Sequence, residues 1–544
     1  MAASLAGLGG CRRGETAKTE PPSQPSLRIY ALGGPAGAIE PCGCVKDMLG
    51  GVDHAAGFFE AQKSRAPHAL VLGAGPVFFA ERSVREADRV QALFKAETLA
   101  ASLADAGLVA FAPAANDLAL GWGEFARLVQ ATRASALAAN WQAPAAPPAG
   151  TAPTAGTTPA AGSAPSPISA SQLVELGGMK IGLAGVSLPT FAAGPPDGLV
   201  IGAAEQALIQ ARDQLRARGA ELLVALVATE RGDALRLAER VPGFQLLIVG
   251  KPFDEGEHND SPTPPELVER TLVVQAPNHL QGVGIVDLFV RGGSHDFADG
   301  SGIAALAERQ SLEERRNELL RRIEAWRARP DSIRAEDLAA REDELSELNR
   351  QLKRSTQPEL PATGSYLLYD FSEIRESLGQ SGAVAARLEA YYQRVNEHNK
   401  QAFADRRPQP VEPGQSGYVG IEVCSSCHQE ERKVWDQTAH AGAYATLSRD
   451  HKEYNLDCVG CHVTGYEKPG GSTVTHVETL RDVQCEICHG PGSAHAANPV
   501  AAGAIRRTPD QGLCASTCHH PPHVGENWNV TTAWPKILGP GHGG

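Results

Sequence analysis

Near the C-terminus, eight cysteines occur in four pairs, and each pair is followed directly by a histidine. Three pairs have the spacing C-x-x-C-H, and the fourth has one extra residue between its cysteines. Each cysteine of such a pair can form a thioether with a haem vinyl group, and the histidine then lies under the iron as an axial ligand. The pattern predicts a c-type cytochrome with four haem c groups, the first three at unaltered motifs. The four sites are Cys424/Cys427/His428, Cys458/Cys461/His462, Cys485/Cys488/His489 and Cys514/Cys518/His519.

Two other kinds of site also use paired cysteines. Zinc is held tetrahedrally by two C-x-x-C units, and disulfides are common in exported proteins. Neither requires a histidine directly after the second cysteine of every pair, so haem is favoured over both. The longer loop between Cys514 and Cys518 can still place two thioethers.

Length and charge narrow the class of protein. A chain of 544 residues is too long for one hydrophobic core, so several domains are expected. The net charge of -13 argues against a nucleic-acid partner and against a broad basic surface for anionic lipid. No apolar run reaches the roughly 18 residues of a membrane-spanning helix.

Residues 1–25 are predicted to be a leader and tether. The run Leu8-Gly9-Gly10-Cys11 resembles a bacterial lipobox, in which the cysteine is lipidated after cleavage of the signal peptide. Lipidation of Cys11 would anchor the protein to a membrane face without spanning it. The alternative is a disordered tail with an unrelated cysteine. Haem attachment also predicts export, since c-type maturation takes place outside the bacterial cytoplasm.

Residues 26–295 are predicted to form an α/β domain, because short apolar runs alternate with helical stretches such as 204–218. Residues 142–170 are rich in Pro, Ala, Thr and Gly and are predicted to be a disordered insertion. The predicted strands are 27–32, 69–72, 108–112, 180–186, 222–227, 244–249 and 271–275.

The order of these elements resembles the metallophosphoesterase fold of 5'-nucleotidases and thiosulfohydrolases, which implies an α/β sandwich. At the positions where that family carries metal ligands, this chain has residues that do not ligate. A two-metal hydrolase needs carboxylates and imidazoles to hold its ions. The resemblance therefore implies a degenerate, non-catalytic scaffold. The substituted positions are Gly34, Ala36, Pro76, Ala115-Asn116-Asp117, Ala228 or Thr229, and Gly250-Lys251-Pro252-Phe253.

One further cysteine pair lies in this domain, in Glu40-Pro41-Cys42-Gly43-Cys44. Cys42 and Cys44 are too close for an easy mutual disulfide. They are predicted either to meet a metal or a haem edge, or to be two buried thiols in a tight loop.

Residues 296–410 are predicted to be a helical arm and linker. Leucines at heptad-like spacing in 303–355, interrupted at Pro330, predict a hairpin of two helices that packs on the core or forms a homodimer. A strand near 366–371 and a helix near 383–403 are expected to follow.

Residues 418–544 resemble the cytochrome c-552/c-554 multihaem family. The resemblance implies that His440 and His495 are second axial ligands, with His542 as a third candidate and the second haem five-coordinate. His451, His476, His520 and His523 remain a pool of further candidates. The matching segments are Tyr418-Val419-Gly420, Trp435, Thr438-Ala439-His440-Ala441, Cys461 to Tyr466, Val483 to His495 and Trp534-Pro535-Lys536-Ile537.

The sequence thus predicts a lipid-anchored protein of the periplasm or outer membrane that relays electrons between redox proteins. The alternative is a haem-based oxidoreductase that acts on a small nitrogen or sulfur compound at an open haem. A metal-dependent phosphoester or thioester hydrolase fused to a cytochrome is disfavoured by the missing ligands.

Overall fold

The computed structural model describes residues 24–41, 48–144, 166–191, 194–252, 261–327, 334–354, 360–520, 524 and 528–540. Two compact units are present. The larger contains residues 28–286 and 369–544, and the smaller contains the described residues 24–27 together with 287–368. Several predicted features lie outside the described residues, namely Cys11, Cys42, Cys44, Phe253, Pro330, His523, His542 and part of the 142–170 insertion (145–165).

Sixteen strands occur among the described residues. They are β1 (Leu27–Leu32), β2 (Ala69–Ala74), β3 (Leu108–Ala112), β4 (Ser135–Leu137), β5 (Trp141–Gln142), β6 (Ile168–Ser169), β7 (Ser171–Leu176), β8 (Met179–Ser187), β9 (Val200–Ile201), β10 (Leu222–Ala228), β11 (Leu246–Gly250), β12 (Glu266–Val268), β13 (Thr271–Gln275), β14 (Gly282–Phe289), β15 (Phe297–Asp299) and β16 (Ser365–Glu373).

The α-helices of the described chain include long helices in its first 402 residues and short ones after that. They are α1 (Val52–Gln62), α2 (Arg89–Asp105), α3 (Trp122–Thr132), α4 (Ala204–Ala217), α5 (Arg231–Arg240), α6 (Ile303–Arg327), α7 (Ala335–Arg354), α8 (Gly382–Ala402), α9 (Ile421–Ser425), α10 (Gln429–Trp435), α11 (Ala443–Arg449), α12 (Val459–His462), α13 (Cys485–His489), α14 (Ser493–Ala497), α15 (Gly512–Thr517) and α16 (Val530–Ala533).

Two largely parallel sheets form the centre of the larger unit. One has the strand order β14-β1-β2-β3-β4-β6, and the other has the order β12-β13-β11-β10-β8-β7. Strand β2 of the first sheet lies against β10 and β11 of the second. Strands β10 and β11 are buried along their whole length, as is typical of parallel strands covered on both faces. The predicted α/β sandwich is confirmed.

Helices α1, α2, α3 and α8 cover the first sheet, and α2 packs against both α3 and α8. Their apolar faces join the sheet in one core that includes Phe58, Leu99, Phe125 and Leu388. Helix α8 begins one residue before the predicted start and ends one residue before the predicted end. It brings the chain from the α/β region to the cysteine-rich region.

In the smaller unit, α6 and α7 pack against each other as the predicted helical hairpin. Leu319, Ile323 and Leu348 are buried between them, with further leucines of the heptad-like pattern beside them. Strands β15 and β16 pair in parallel, and the ring of Phe289 stacks on Tyr366 with 4.6 Å between centroids.

The cysteine-rich region has only short helices and little apolar core. Tyr444, Val459, Val463 and Val477 form its one buried cluster among the described residues. So small a core is what we expect of a region in which bound haem would supply much of the apolar mass. No helix in the described parts of the chain has the length and apolar character needed to cross a membrane.

Candidate haem-binding sites

Each predicted haem motif lies on one tight turn of backbone. In the first motif the N–H of His428 donates to the carbonyl of Cys424 (3.0 Å), four residues back. In the fourth motif the N–H of His519 donates to the carbonyl of Cys514 (2.8 Å), five residues back. The extra residue of the fourth motif is therefore absorbed by a wider turn of the kind found in π-bulges. Cysteine and histidine remain on one closed turn in both cases.

Two of the motif histidines face a second histidine from a distant part of the sequence. The ring centroids of His428 and His495 are 6.2 Å apart, with planes at 30°. Those of His519 and His440 are 6.3 Å apart, with planes at 52°. His440 and His495 are the two residues predicted as second axial ligands.

This spacing matches what a six-coordinate iron requires. A metal–imidazole bond is about 2.0 Å long, and a ring nitrogen lies about 1.1 Å from the ring centroid. Two imidazoles on opposite sides of one iron therefore have centroids about 6.2 Å apart, whereas directly stacked rings approach more closely. The residues of the first and fourth motifs fit haem with two histidine ligands, each contributed by a different segment.

At the second and third motifs, the histidine is oriented by a backbone carbonyl. The Nδ1 atom of His462 lies 2.6 Å from the carbonyl oxygen of Ala443, and that of His489 lies 2.7 Å from the carbonyl oxygen of Arg506. A histidine that donates its Nδ1–H to a carbonyl presents Nε2 to a metal in a fixed direction. This is the outer-shell arrangement expected of an axial ligand.

The cysteines bring the motifs together in pairs. The thiols of Cys424 and Cys485 share a hydrogen bond that raises the pKa of Cys424 and lowers the pKa of Cys485. A corresponding bond to Cys518 lowers the pKa of Cys461 to about 7. The first motif therefore meets the third, and the second meets the fourth.

Cys427 differs from the other cysteines of the four motifs. Both cysteines of the first motif are predicted to bind haem, and they differ in exposure. Cys427 is exposed, whereas the other seven motif cysteines are half-buried. Cys427 follows the end of α9 at Ser425, and its sulfur accepts a hydrogen bond from the hydroxyl of Ser426 at 3.8 Å. A thioether at Cys427 therefore stays a prediction, at the most accessible thiol of the eight.

A buried carboxylate joins the first and third motifs. Glu486, inside the third motif, has a side chain that is 1% exposed. Its oxygens accept the N–H groups of Val419 (3.0 and 3.1 Å), Gly420 (2.8 Å) and Gly492 (2.7 Å). The neighbouring Gln484 accepts the N–H of Ile421 at 2.7 Å. These contacts hold the start of α9, and so the first motif, against the third.

The role of Glu486 in binding the backbone at the start of the first motif was not predicted from the sequence. A carboxylate between the two cysteines of a haem motif is an unusual choice in a tightly packed turn, because burying it is unfavourable without several donors. A glutamate at this position was therefore the feature of the sequence that could have indicated a structural role for Glu486. From the pool of further histidines, His476 contacts Thr473 and Thr475, and His451 is exposed.

In the α/β region, one buried carboxylate belongs to Ala115-Asn116-Asp117, a segment that by resemblance corresponds to a metal-ligand segment of metallophosphoesterases. Asp117 is fully buried and accepts the N–H groups of Val77 (2.8 Å), Phe78 (2.7 Å) and Ala114 (2.8 Å). Burial raises the pKa of Asp117 to about 6, although the three hydrogen bonds oppose the rise. Its oxygens satisfy the backbone of the loop that follows β2.

Backbone contacts fill the space around this loop. A Cβ on Gly250 would lie 2.2 Å from the carbonyl oxygen of Ala74, and one on Gly34 would lie 2.7 Å from that of Pro76. A Cβ on Gly33 would lie 2.3 Å from the carbonyl oxygen of Ala276. The C-terminal ends of β1, β2, β11 and β13 are therefore packed directly against one another.

A cleft of about 720 Å³ opens beside these strand ends, where β8 and β10 finish. Thr229 and Pro252, two of the substituted ligand positions, line it together with Ser187, Glu230 and Asp233. Across the described part of the chain, no group of three or more His, Cys, Asp and Glu side chains is arranged to hold a metal ion.

The comparison with known families agrees with the cysteine geometry. Residues 423–490 match the model of the family cytochrome c554 and c-prime. The C-terminal region is similar to a c-type haem cytochrome. Its sequence is 37% identical over 91 residues to cytochrome c-554 of Nitrosomonas europaea, an alignment that covers 14% of this chain and 39% of that protein. The chain thus matches well under half the length of its curated relative.

Solved structures similar to the chain include a nucleotidase and a sulfur-compound hydrolase. A 5'-nucleotidase precursor from Thermus thermophilus has a TM-score of 0.45 at 16% identity, covering 73% of this chain and 62% of that one. The sulfate thiohydrolase SoxB of the same organism has a TM-score of 0.39 at 17% identity, covering 51% and 56%. The α/β sandwich itself rests on the strand order and the packing of the two sheets described above.

Proposed function

We propose that this protein is an exported multihaem c-type cytochrome that relays single electrons between redox partners. The observation that carries the proposal is the pair of histidine–histidine spacings, 6.2 and 6.3 Å, at two of the cysteine–histidine motifs. Haem supplies one-electron redox chemistry when it is bound at such sites. Bis-histidine ligation leaves no open position on the iron and so favours electron transfer over catalysis.

The protein's own residues hold the four sites close together. The thiol contacts between Cys424 and Cys485 and between Cys461 and Cys518 link the motifs in two pairs. Glu486 and Gln484 fix the first pair. A chain of closely spaced sites is what successive electron transfers require, and it supports four haems, including one at the Cys514/Cys518 motif.

The α/β region acts as a scaffold without hydrolytic activity in this proposal. Asp117 uses its carboxylate to bind backbone N–H groups, and Gly250 packs directly on Ala74. A two-metal centre needs free carboxylates and imidazoles as ligands, whereas the Asp117 oxygens are taken up by backbone donors and Gly250 supplies no ligand atom from a side chain. The outcome that would contradict this part is phosphatase or thiohydrolase activity that a chelator abolishes.

A second candidate function is redox catalysis at the site of His462. Within the described residues, the paired-ring spacing is found for His428 and His519 but for neither His462 nor His489. Of these two, the resemblance to the cytochrome c-552/c-554 family favours the second haem, that of His462, as the five-coordinate one. An iron with one protein ligand could bind a small nitrogen or sulfur compound. Binding of CO to a single haem of the reduced protein would favour this function.

Export and attachment to a membrane surface complete the proposal. Covalent haem attachment places the protein outside the bacterial cytoplasm, and lipidation at Cys11 would anchor it there. The proposed partners are a donor and an acceptor redox protein, and the α6–α7 hairpin is the candidate surface for a homodimer.

The testing experiment is a reduced-minus-oxidised visible spectrum of the exported protein with a pyridine haemochrome count. Four c-type haems are expected, and a Cys514→Ser/Cys518→Ser variant should retain three. Protein exported by a strain with intact haem-attachment machinery but containing no haem would refute the proposal and return the cysteines to zinc or disulfides.

A further inference from the structure

The segment 452–458, which leads into the second motif, lies against two helices of the α/β region. Helices α2 and α8 supply the side chains that contact it, and α8 in turn packs on α2. At the first motif, by contrast, Glu486 and Gln484 of the cysteine-rich region itself hold the start of α9. The segment before the second motif is therefore held from outside that region.

Three buried amides form the centre of this contact. Gln91 on α2, Asn399 on α8 and Asn455 in the segment are 4%, 1% and 2% exposed. Gln91 donates from Nε2 to Asn455 Oδ1 (3.0 Å), and its Oε1 accepts from Asn399 Nδ2 (2.8 Å). The same Oε1 accepts the backbone N–H of Leu456 at 2.9 Å. Because these groups are shielded from water, each lost partner would leave a buried polar group unsatisfied.

The network reaches the motif through the backbone of Asn455. The carbonyl of Asn455 accepts the N–H groups of Cys458 (3.0 Å) and Val459 (2.9 Å), which open the turn of α12. Helix α12 ends at His462, whose Nδ1 is held by the carbonyl of Ala443. A displacement of Asn455 would therefore move the first cysteine of the motif relative to its histidine.

Charged side chains surround the amides at the edge of the contact. Lys452 donates to Glu40 at 2.6 Å, and Tyr392 donates to the same carboxylate oxygen at 2.8 Å. Lys95 on α2 bonds Asp457 at 2.9 Å, but its side chain is 32% exposed and that of Asp457 is 54% exposed. Exposed pairs of this kind add little to stability. The amides, rather than Lys95, determine where the segment lies.

We propose that Gln91 and Asn399 are positioning residues for the second haem site, so that the α/β region sets the properties of the His462 haem and of no other. The inference rests on the proposed haem function and assigns the α/β region a specific role within it. Ligand orientation and local burial tune the potential of a haem. A substitution in the amide network should therefore change the potential of the His462 haem, while the potentials of the other haems stay the same.

The test compares two variants of the full-length, haem-loaded protein. Gln91→Met removes the amide and keeps the length of the side chain, whereas Lys95→Met makes the same replacement one helical turn away at an exposed contact to the same segment. A His462→Met variant assigns the signals of the second haem in EPR-monitored redox titrations. Amide exchange of the peptide 452–462 reports the position of the segment independently.

For Gln91→Met we expect a shifted midpoint potential for the His462 haem only and roughly tenfold faster exchange of the 452–462 peptide. For Lys95→Met we expect both quantities to stay within about twofold of the wild type. If Gln91→Met does not fold, Gln91→Glu replaces it in the test, because a carboxylate keeps the acceptor oxygen but cannot donate to Asn455. This variant should also shift the midpoint potential of the His462 haem.

Two results would overturn the inference. One is an unchanged midpoint potential of the His462 haem in a folded, haem-loaded Gln91 variant, and the other is an equal shift in the midpoint potentials of all haems. A wild-type protein that binds no haem would instead refute the proposed function, so the two failures are distinguishable.

Discussion

Replacing Glu486 by glutamine tests how the first and third motifs are held together. One carboxylate oxygen accepts from Gly492 and the other from Gly420, while Val419 contacts both. An amide has one acceptor oxygen and one donor group, so in the variant Glu486→Gln either orientation of the new amide leaves Gly420 or Gly492 facing a second donor. The site is 1% exposed, which keeps water from replacing the lost partner.

The expected magnitude follows from that single loss. A buried hydrogen bond to a charged group contributes about 1.5–3 kcal/mol, and a factor of ten corresponds to about 1.4 kcal/mol. The segments around Gly420 and Gly492 should therefore open roughly 10-fold to 100-fold more often in Glu486→Gln. Local opening is the appropriate quantity because a multidomain protein does not unfold in one two-state step.

Hydrogen exchange followed by mass spectrometry measures this opening on peptides 417–421 and 490–493. Glu422→Gln is the matched control, because Glu422 lies in the same region with a side chain that is 84% exposed and paired with Arg432 at 2.9 Å. The control should stay within about threefold of the wild type. Equal exchange rates in Glu486→Gln and Glu422→Gln would refute the role assigned to Glu486.

Three further substitutions test other parts of the structure. His495→Met should raise the potential of the His428 haem and change its EPR signal, since methionine–histidine ligation raises haem potentials, and an unaltered His428 signal would contradict the pairing. Asp117 has a folded pKa of about 6 against 3.8 for the free side chain, so its stabilising contribution is complete below about pH 4 and is lost as the pH rises through 6. Hydrogen exchange of peptides that contain Val77, Phe78 and Ala114, corrected for the intrinsic exchange rate at each pH, should show the wild type losing up to about 3 kcal/mol of local opening free energy between pH 4 and 7 relative to Asp117→Asn. Parallel pH profiles would exclude this effect. Gly250→Ala places a Cβ 2.2 Å from the carbonyl oxygen of Ala74 and should lower the free energy of local opening of β2 and β11 by about 1–3 kcal/mol. Unchanged hydrogen exchange of peptides 69–74 and 246–250 would show that the two strands move apart without cost.

Much of the local structure followed from the sequence. Strands β1, β3 and β13 begin and end at the predicted residues. Strands β1 and β3 are apolar runs with glycine or proline close to both ends, and β13 is an apolar run that follows two charged residues. The heptad-like leucines predicted the α6–α7 hairpin for the same reason: side-chain periodicity is a property of neighbours along the chain. The predicted start of β11 was two residues early, since Phe244 is apolar but precedes the paired backbone.

The haem motifs are also determined by the sequence alone. Two cysteines and a histidine within five or six residues can occupy one turn whatever surrounds them, so haem attachment is predicted without a fold. The resemblance to metallophosphoesterases, with glycine, alanine and proline at the positions where that family carries ligands, is likewise a feature of the sequence alone.

Which groups meet across the chain was decided only by the tertiary structure. The pairing of His428 with His495 and of His440 with His519 depends on turns that return distant segments to one place. The exposure of Cys427 and the role of Glu486 likewise depend on what the fold packs around each motif. A hydrogen bond between two segments that are far apart in the sequence produces no recognisable pattern in either segment. For that reason the motifs could be predicted from the sequence, and the hydrogen-bond network around them could not.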